Sequence, residues 1–202
     1  MKKFVLLGVL LLASAVQAQD MKVTKGNFDF LKNQNEINVL FDYSNFTMMA
    51  DENPESVYIS ERTKDLNAKN KGVGDLWEKK WQAAKGNIWS QKFLELMTII
   101  YSKARKDVKF DQELTKAKYT LIVKTTWIYP GWDAGIMKQK AKVSTVLQFV
   151  ETANPSTVLL EIVSKEAPGD QFGNNFSNES RIGEGYAKTA KSLAKMMLKK
   201  TS

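Results

Sequence analysis

The segment Tyr119-Thr-Leu-Ile-Val-Lys-Thr-Thr-Trp-Ile128 determines the fold class of this chain. Its side chains alternate with the period of a β-strand, and one face carries Tyr119, Leu121, Val123, Thr125 and Trp127. We therefore expect Trp127 to lie in the core. Residues 138–151 alternate in the same way, with one face toward water, and residues 157–165 form a third strand. Short turns join the three, which predicts an antiparallel meander.

The segments before and after the meander predict helices and one further strand. Residues 36–43 alternate as a strand, residues 57–60 as a short extra strand, and residues 65–74 resemble a loop. Two helical stretches follow, with Gly86-Asn87 between them as a cap or kink, and a last helix runs from about 181 to 200. This order predicts an α/β fold, with α+β as an alternative, in which helices cover a mixed, mainly antiparallel sheet.

The amino terminus has the pattern of a secretory signal peptide. Lys2 and Lys3 precede an apolar run over residues 4–12, and Val16 and Ala18 suit a signal peptidase. We expect cleavage after Ala18 and a periplasmic or secreted product. The run is too short to span a bilayer, and no other apolar segment of the mature chain is long enough. Because no cysteine follows the run, a lipid-anchored lipoprotein is excluded.

Composition limits both the domain count and the chemistry. The 202 residues divide into the signal peptide (1–18), a mobile leader (19–35) and one domain (36–202). With 30 basic and 22 acidic residues the net charge is +8, and removing Lys2 and Lys3 lowers it to +6. The chain has no histidine and no cysteine, which excludes disulfides, Cys/His zinc sites and imidazole-dependent nucleophiles.

Four motifs resemble a fold found in the bacterial envelope. They are the strand 37–41, the strand entry 117–123, the hairpin formed by 145–149 and 158–163, and the Gly183-Glu-Gly-Tyr-Ala187 start of the last helix. Together they resemble the amino-terminal domain of TolB and the curli-secretion and transport-auxiliary lipoproteins. The chain is also similar to small secreted Bacteroidetes proteins of unknown function. The resemblance implies a scaffold or assembly role rather than catalysis.

Three residues are the candidate ligand-binding site. Asp42 lies at the end of the first strand and Asp133 in the turn after the strand 119–128, each beside aromatic residues. Paired carboxylates of this kind are the groups that glycoside hydrolysis requires. Trp132 lies in the same turn, where a flat ring favours stacking on a sugar, whereas Trp77, Trp81 and Trp89 fall on helical stripes typical of core packing.

A basic stripe on the last helix is the candidate interaction surface. Lys188, Lys191, Lys195 and Lys199 recur at helical spacing opposite the apolar side. Such a stripe can contact anionic lipid headgroups or an acidic partner. The loop 168–180 is rich in oxygen ligands but lacks the calcium pattern, so no metal or cofactor is predicted. Nucleic acid is an unsuitable partner for an exported chain with no recognised motif.

The sequence therefore favours a non-enzymatic, envelope-associated protein that acts through protein or envelope-surface contacts. The main alternative is a glycan-binding or carboxylate-dependent glycan-cleaving protein centred on Asp42, Trp132 and Asp133. A third possibility is a small-ligand carrier with a pocket between the sheet and the helices.

Overall fold

A computed structural model describes residues 19–134, 137–169 and 177–201. The predicted signal peptide, and residues 170–176 of the predicted loop, lie outside the described residues. The strands are β1 (Asp20–Gly26), β2 (Glu36–Asp42), β3 (Thr47–Met48), β4 (Asn53–Pro54), β5 (Lys109–Asp111), β6 (Tyr119–Tyr129), β7 (Trp132–Asp133), β8 (Lys138–Gln139), β9 (Ala141–Glu151) and β10 (Asn154–Gly169). The helices are α1 (Glu55–Lys69), α2 (Val73–Ala84), a π-helix (Lys85–Ser90), α3 (Gln91–Lys103) and α4 (Asn178–Thr201), with a short 3-10 turn at Asp29–Leu31.

The fold is a mixed α/β sandwich, as the sequence predicts. Its large sheet has the order β1-β10-β9-β6-β2-β5, with β3 beside β6 and β4 beside β3. The predicted meander is present, because β9 pairs antiparallel with both β6 and β10. The pairs β2–β5 and β2–β6 are parallel, since α1 to α3 carry the chain across one face of the sheet between them.

One face of the sheet is covered by helices and the other faces solvent. Along β9 the side chains alternate between full burial and partial exposure, which is typical of a sheet covered on one side. The covered side packs on the helical layer, where Trp81 of α2, Trp89 of the π-helix, Phe93 of α3 and Tyr186 of α4 are fully buried. We call the opposite side the open face. It carries partly exposed residues of the central strands, among them Ile122, Val146 and Val163, and Leu40, which is 47% exposed.

The segment predicted as a mobile leader is instead part of the fold. Within residues 19–35, β1 pairs antiparallel with β10 from Asp20 to Gly26, and Phe28 and Leu31 are buried. β1 has only two partly buried apolar side chains, Met21 and Val23, so its alternation is weak in the sequence. Pairing with the edge of β10 satisfies the backbone hydrogen bonds of β1. This gain outweighs the low intrinsic preference of the β1 sequence for a strand.

Two further local predictions need correction. Residues 57–60, predicted as a strand, lie inside α1, and this helix continues to Lys69 through the first half of the predicted loop. Gly86-Asn87, predicted as a cap or kink, caps no helix: it lies within the π-helix, which interrupts the α-helix at the predicted place while the chain stays helical from Val73 to Lys103. Packing between α1 and α2 explains why residues 57–60 are helical. Gly74 of α2 lies so close to α1 that a Cβ there would be 2.1 Å from the carbonyl oxygen of Thr63.

Candidate functional site

Asp42 is at the carboxyl end of β2, where its carboxylate serves a local turn. Its Oδ1 accepts hydrogen bonds from the Ser44 hydroxyl at 2.6 Å and from the Ser44 backbone N–H at 2.9 Å. The Ser44 hydroxyl lowers the pKa of Asp42, with smaller contributions from the Ser44 N–H and from Lys124 against the opposing effect of burial. A carboxyl group with a lowered pKa is ionised near neutral pH and cannot act as a general acid there.

Trp132 and Asp133 form β7, which is held to α4 by Arg181. The guanidinium of Arg181 donates hydrogen bonds to the carbonyl oxygens of Pro130 and Gly131, each at 3.4 Å, and to the side chain of Asn178. Burial lowers the pKa of Arg181, and the negative charge of Asp133 opposes that shift. Asp133 therefore lies within electrostatic reach of a buried cation, while Trp132 is 41% exposed. This arrangement indicates that Asp133 has a structural role in anchoring the hairpin.

The structure does not bring Asp42 and Asp133 together as a catalytic pair. Asp42 lies beside Lys124 of β6. Five residues of extended strand, about 16 Å, separate Lys124 from Tyr129 at the end of β6. The pair Trp132↔Gln139 continues the register of Tyr129↔Lys142, so β7 runs further away from Asp42. This separation exceeds the roughly 5–9.5 Å between the two carboxyl groups of glycosidases.

The basic stripe of α4 lies on the outer surface of the helical layer. Lys191, Lys195 and Lys199 are exposed and Lys188 is partly exposed. The opposite side of α4 is buried against β9 and β10 through Tyr186, Leu193 and other apolar residues. The stripe is thus on the far side of the molecule from the open face. A surface contact through the lysines would leave the open face free.

The open face contains a pocket that the sequence analysis did not identify. We call it the bulge pocket; its volume is about 310 Å³, and it is lined by Met49, Ala50, Glu52, Thr126, Trp127, Ser144, Val163, Ser164, Lys165 and Glu166. Its floor is formed by β6, β9 and β10, and the loop between β3 and β4 forms one wall. The volume is at the lower limit of ordinary small-molecule sites.

Two β-bulges produce the concave shape of this pocket. The register of β6 against β9 shifts between Thr125 and Trp127, and the register of β10 against β9 shifts between Ser164 and Ala167. Both shifts lie next to Ser144 on the strand between them. Bulges bend a strand and redirect its side chains, and they are frequent beside functional sites.

The backbone of the bulge pocket is strained. Among the described residues, five residues other than glycine have a positive φ angle, and three of these five line the pocket: Met49 at 63°, Glu52 at 52° and Glu166 at 49°. The left-handed region costs an L-residue roughly 1–2 kcal/mol. Strained backbone is concentrated at functional sites in many proteins, so this clustering marks the pocket as the candidate site.

The side chains of the pocket combine a fixed ring with polar groups. Trp127 donates its indole N–H to the carbonyl oxygen of Met49 at 2.8 Å, and its ring stacks with Tyr129 at a centroid distance of 6.3 Å. Ser144 Oγ accepts the backbone N–H of Glu166 at 3.0 Å, which leaves the Ser144 hydroxyl hydrogen as a donor. The Glu166 carboxylate pairs with Lys142 at 2.6 Å. An indole, hydroxyls and charges of both signs can hold a polar ring by stacking and hydrogen bonding.

Sequence reasoning missed this site because of the bulge at Thr126. Strict alternation placed Trp127 on the core face with Thr125. The extra residue in β6 moves Trp127 to the open face, while Thr125 stays buried and bonds to the hydroxyl of Tyr186 at 2.6 Å. The two adjacent threonines before Trp127 gave no signal of the shift. In contrast, Trp81 and Trp89 are core residues as predicted, and Trp77 packs partly buried against them.

Comparisons with known proteins give no family. No family model matches the chain, and no curated protein matches it. Among solved structures, two crystal structures of the PelC dodecamer from Paraburkholderia phytofirmans, one of them a point variant, each show 10% sequence identity and a TM-score of 0.40. The matches cover 87% of this chain and 97% and 98% of the PelC chains. A likeness of this size identifies neither the fold nor the function of the chain.

Proposed function

We propose that this chain is a non-enzymatic, exported envelope protein that binds a ligand in the bulge pocket. The pattern of the first 18 residues supports export. The separation of Asp42 from Asp133 supports binding rather than carboxylate-dependent cleavage. Among the described residues, no helix is long and apolar enough to cross a membrane.

The observation that carries the proposal is the convergence of strain on one pocket. Met49, Glu52 and Glu166 come from two separate segments of the chain, yet all three line the same concavity. A fold gains no stability from positive φ angles at a methionine and two glutamates. Their persistence around a single pocket is the pattern expected where backbone shape is maintained for a ligand.

The ligand class that best suits the bulge pocket is a glycan. Trp127 offers an aromatic surface, and Thr126 and Ser144 offer hydroxyl groups near it. Sugar rings have apolar faces edged by hydroxyl groups, which suits an indole beside hydroxyls. The glycan alternative is therefore retained, but its centre moves from Trp132 to Trp127.

Calorimetric titration tests this binding directly. The probes are a disaccharide of N-acetylated glucosamine and a neutral hexose disaccharide, titrated into the purified chain. We expect Trp127→Ala to weaken binding by roughly tenfold, as loss of a stacking contact worth about 1.4 kcal/mol would do. Trp132→Ala is the matched control and should bind as the unsubstituted chain does. Equal losses in the two variants, or no saturable binding to either probe, would contradict the proposal.

A second candidate function is contact between the α4 lysines and an anionic surface. Lys191, Lys195 and Lys199 are exposed in one row on the outer side of the helix. Basic groups near an anionic membrane contribute about 1 kcal/mol each. Replacing Lys188, Lys191, Lys195 and Lys199 with glutamine should abolish low-salt sedimentation with phosphatidylglycerol vesicles. Unchanged sedimentation would exclude this surface, and the Trp127→Ala variant should sediment normally because its pocket faces the other way.

A further inference from the structure

Gln19 joins three elements of the fold through its side-chain amide. Its Nε2 donates to the hydroxyl of Ser164 at 2.7 Å, and its Oε1 accepts from the hydroxyl of Ser192 at 2.6 Å. Ser164 is fully buried in β10, and Ser192 is partly buried on α4. Asp20, the next residue, pairs with Lys165 and begins β1. The amide thus fixes the start of the edge strand against both the sheet and the helical layer. We call this arrangement the Gln19 clasp.

The position of Gln19 in the sequence gives the clasp a chemical consequence. Cleavage after Ala18, on which the export proposal also rests, makes Gln19 the first residue of the mature chain. An amino-terminal glutamine can cyclise: the free α-amine attacks the side-chain carbonyl carbon Cδ, a C–N bond closes the five-membered lactam, and Nε2 leaves as ammonia. The product has neither the positively charged amine nor the side-chain amide nitrogen.

We propose that the clasp protects the mature amino terminus from cyclisation as long as the protein is folded. The α-amine can attack Cδ only when the amide group turns back toward the backbone. In the clasp both polar atoms of the amide are bonded instead to Ser164 and Ser192, on β10 and α4. Both hydrogen bonds must break before the reactive rotamer forms.

The clasp also disfavours the cyclised product. Loss of Nε2 as ammonia removes the donor that the hydroxyl of Ser164 uses. This hydroxyl belongs to a fully buried residue, and leaving such a group without its partner destabilises the folded chain. The folded chain therefore favours the open glutamine in both rate and equilibrium, whereas an unfolded chain has no such preference.

Intact-mass spectrometry of the exported protein tests this inference. The fresh sample first shows where the chain begins. The protein is then incubated at neutral pH, folded or in urea, and the fraction that has lost one ammonia is followed over time. We expect cyclisation to be roughly tenfold slower in the folded chain than in urea, as about 1.4 kcal/mol of hydrogen bonding would produce.

Serine variants separate the clasp from general effects of folding. Ser192→Ala removes one hydrogen bond at a partly buried site and should accelerate cyclisation several-fold in the folded state, with no change in urea. Ser156→Ala, at the exposed start of β10, is the matched control and should behave as the unsubstituted chain does. Equal rates in folded and unfolded protein, or a Ser192→Ala rate equal to that of the control, overturn the inference. An amino terminus other than Gln19 overturns it together with the predicted cleavage site, whereas glycan binding to the bulge pocket is measured independently.

Discussion

Glu55 at the start of α1 and Lys85 in the π-helix form an ion pair, with 2.8 Å between Lys85 Nζ and Glu55 Oε2. Both side chains are less than one-fifth exposed. The other carboxylate oxygen of Glu55 accepts the indole N–H of Trp81 at 2.6 Å, so one carboxylate connects α1 to α2 and to the π-helix. These contacts hold α1 against the rest of the helical layer.

Removal of Lys85 should destabilise the fold more than removal of the whole ion pair. Lys85→Met leaves the Glu55 carboxylate largely buried without its cation, and we expect a loss of about 3 kcal/mol in the free energy of unfolding. Adding Glu55→Gln removes that charge and keeps an acceptor for Trp81, so the double variant should recover part of the loss. Urea denaturation of the unsubstituted chain, the two single variants and the double variant measures this. Losses that simply add would show that the pair is not coupled.

Gly185 should not tolerate a methyl group. A Cβ at this position of α4 would lie 2.6 Å from Cγ2 of Val143 on β9. We expect Gly185→Ala to push α4 from the sheet and to cost about 1–3 kcal/mol, the range for an overpacked core. At Gly86 nothing lies within 4 Å of an added Cβ, so Gly86→Ala is the control. It should be neutral or gain up to about 1 kcal/mol from helix propensity. Similar urea midpoints for the two variants would refute the close-packing argument.

Stability should fall at alkaline pH because tyrosines are buried. Burial raises the pKa of Tyr101 from 10.0 to about 12, and burial also raises the pKa values of Tyr43 and Tyr186. Above pH 10.0 the unfolded chain releases tyrosine protons that the folded chain retains, so the free energy of unfolding decreases as pH rises. For Tyr101 the loss extends from about pH 10 to about pH 12.

Thermal melts of the Tyr101→Phe variant between pH 9 and pH 12 test this loss of stability. Tyr129→Phe, on the open face, is the control. Tyr101→Phe removes one of the linked groups and should give a shallower decline in melting temperature over this range. A decline as steep as that of the unsubstituted chain would exclude Tyr101 as a contributor.

Relief of strain in the bulge pocket should improve stability and reduce binding. Glu166→Gly places at φ 49° a residue that adopts the left-handed region without penalty. It also removes an exposed ion pair with Lys142, which contributes little. We expect a gain of about 0.5–1 kcal/mol in urea denaturation and weaker glycan binding by calorimetry. A stabilised variant with unchanged affinity would separate the strain from the function.

The sequence alone predicts the elements in which apolar residues repeat with a clear strand or helix period. The meander of β6, β9 and β10 and the buried side of α4 follow from alternation and helical spacing, because many apolar residues repeat in each. β1 and α1 were not predicted correctly. Met21 and Val23 are too few to show a strand period, and Ile59 is the single buried residue of α1. β1 depends on pairing with β10 and α1 on packing against α2, and the pattern within each segment contains neither partner.

The candidate site was less predictable than the fold. Trp132 was chosen because it lies in a turn, and its exposure agrees with that choice. The bulge pocket depends on two register shifts and on three positive φ angles. None of these has a glycine or another residue type that marks it in the sequence. A shift of one residue changes the face of a side chain, so the core position predicted for Trp127 was wrong.

The π-helix lets the helical layer lose one residue at one point without a change of register. Eight steps of about 100° along an ordinary α-helix would leave Trp81 and Trp89 roughly 80° apart, and the extra residue of a π turn brings them to within about 20° of one direction. Deletion of the single codon for Gly86 would turn this stretch into an ordinary α-helix, whose seven remaining steps again bring the two rings to within about 20° of one direction. Phe93 and Met97 would keep their places in the core. A deletion inside α3, which has no extra residue to lose, would instead rotate every later residue of that helix by about 100°, so natural variants should lose a residue between 85 and 90 far more readily than within α3.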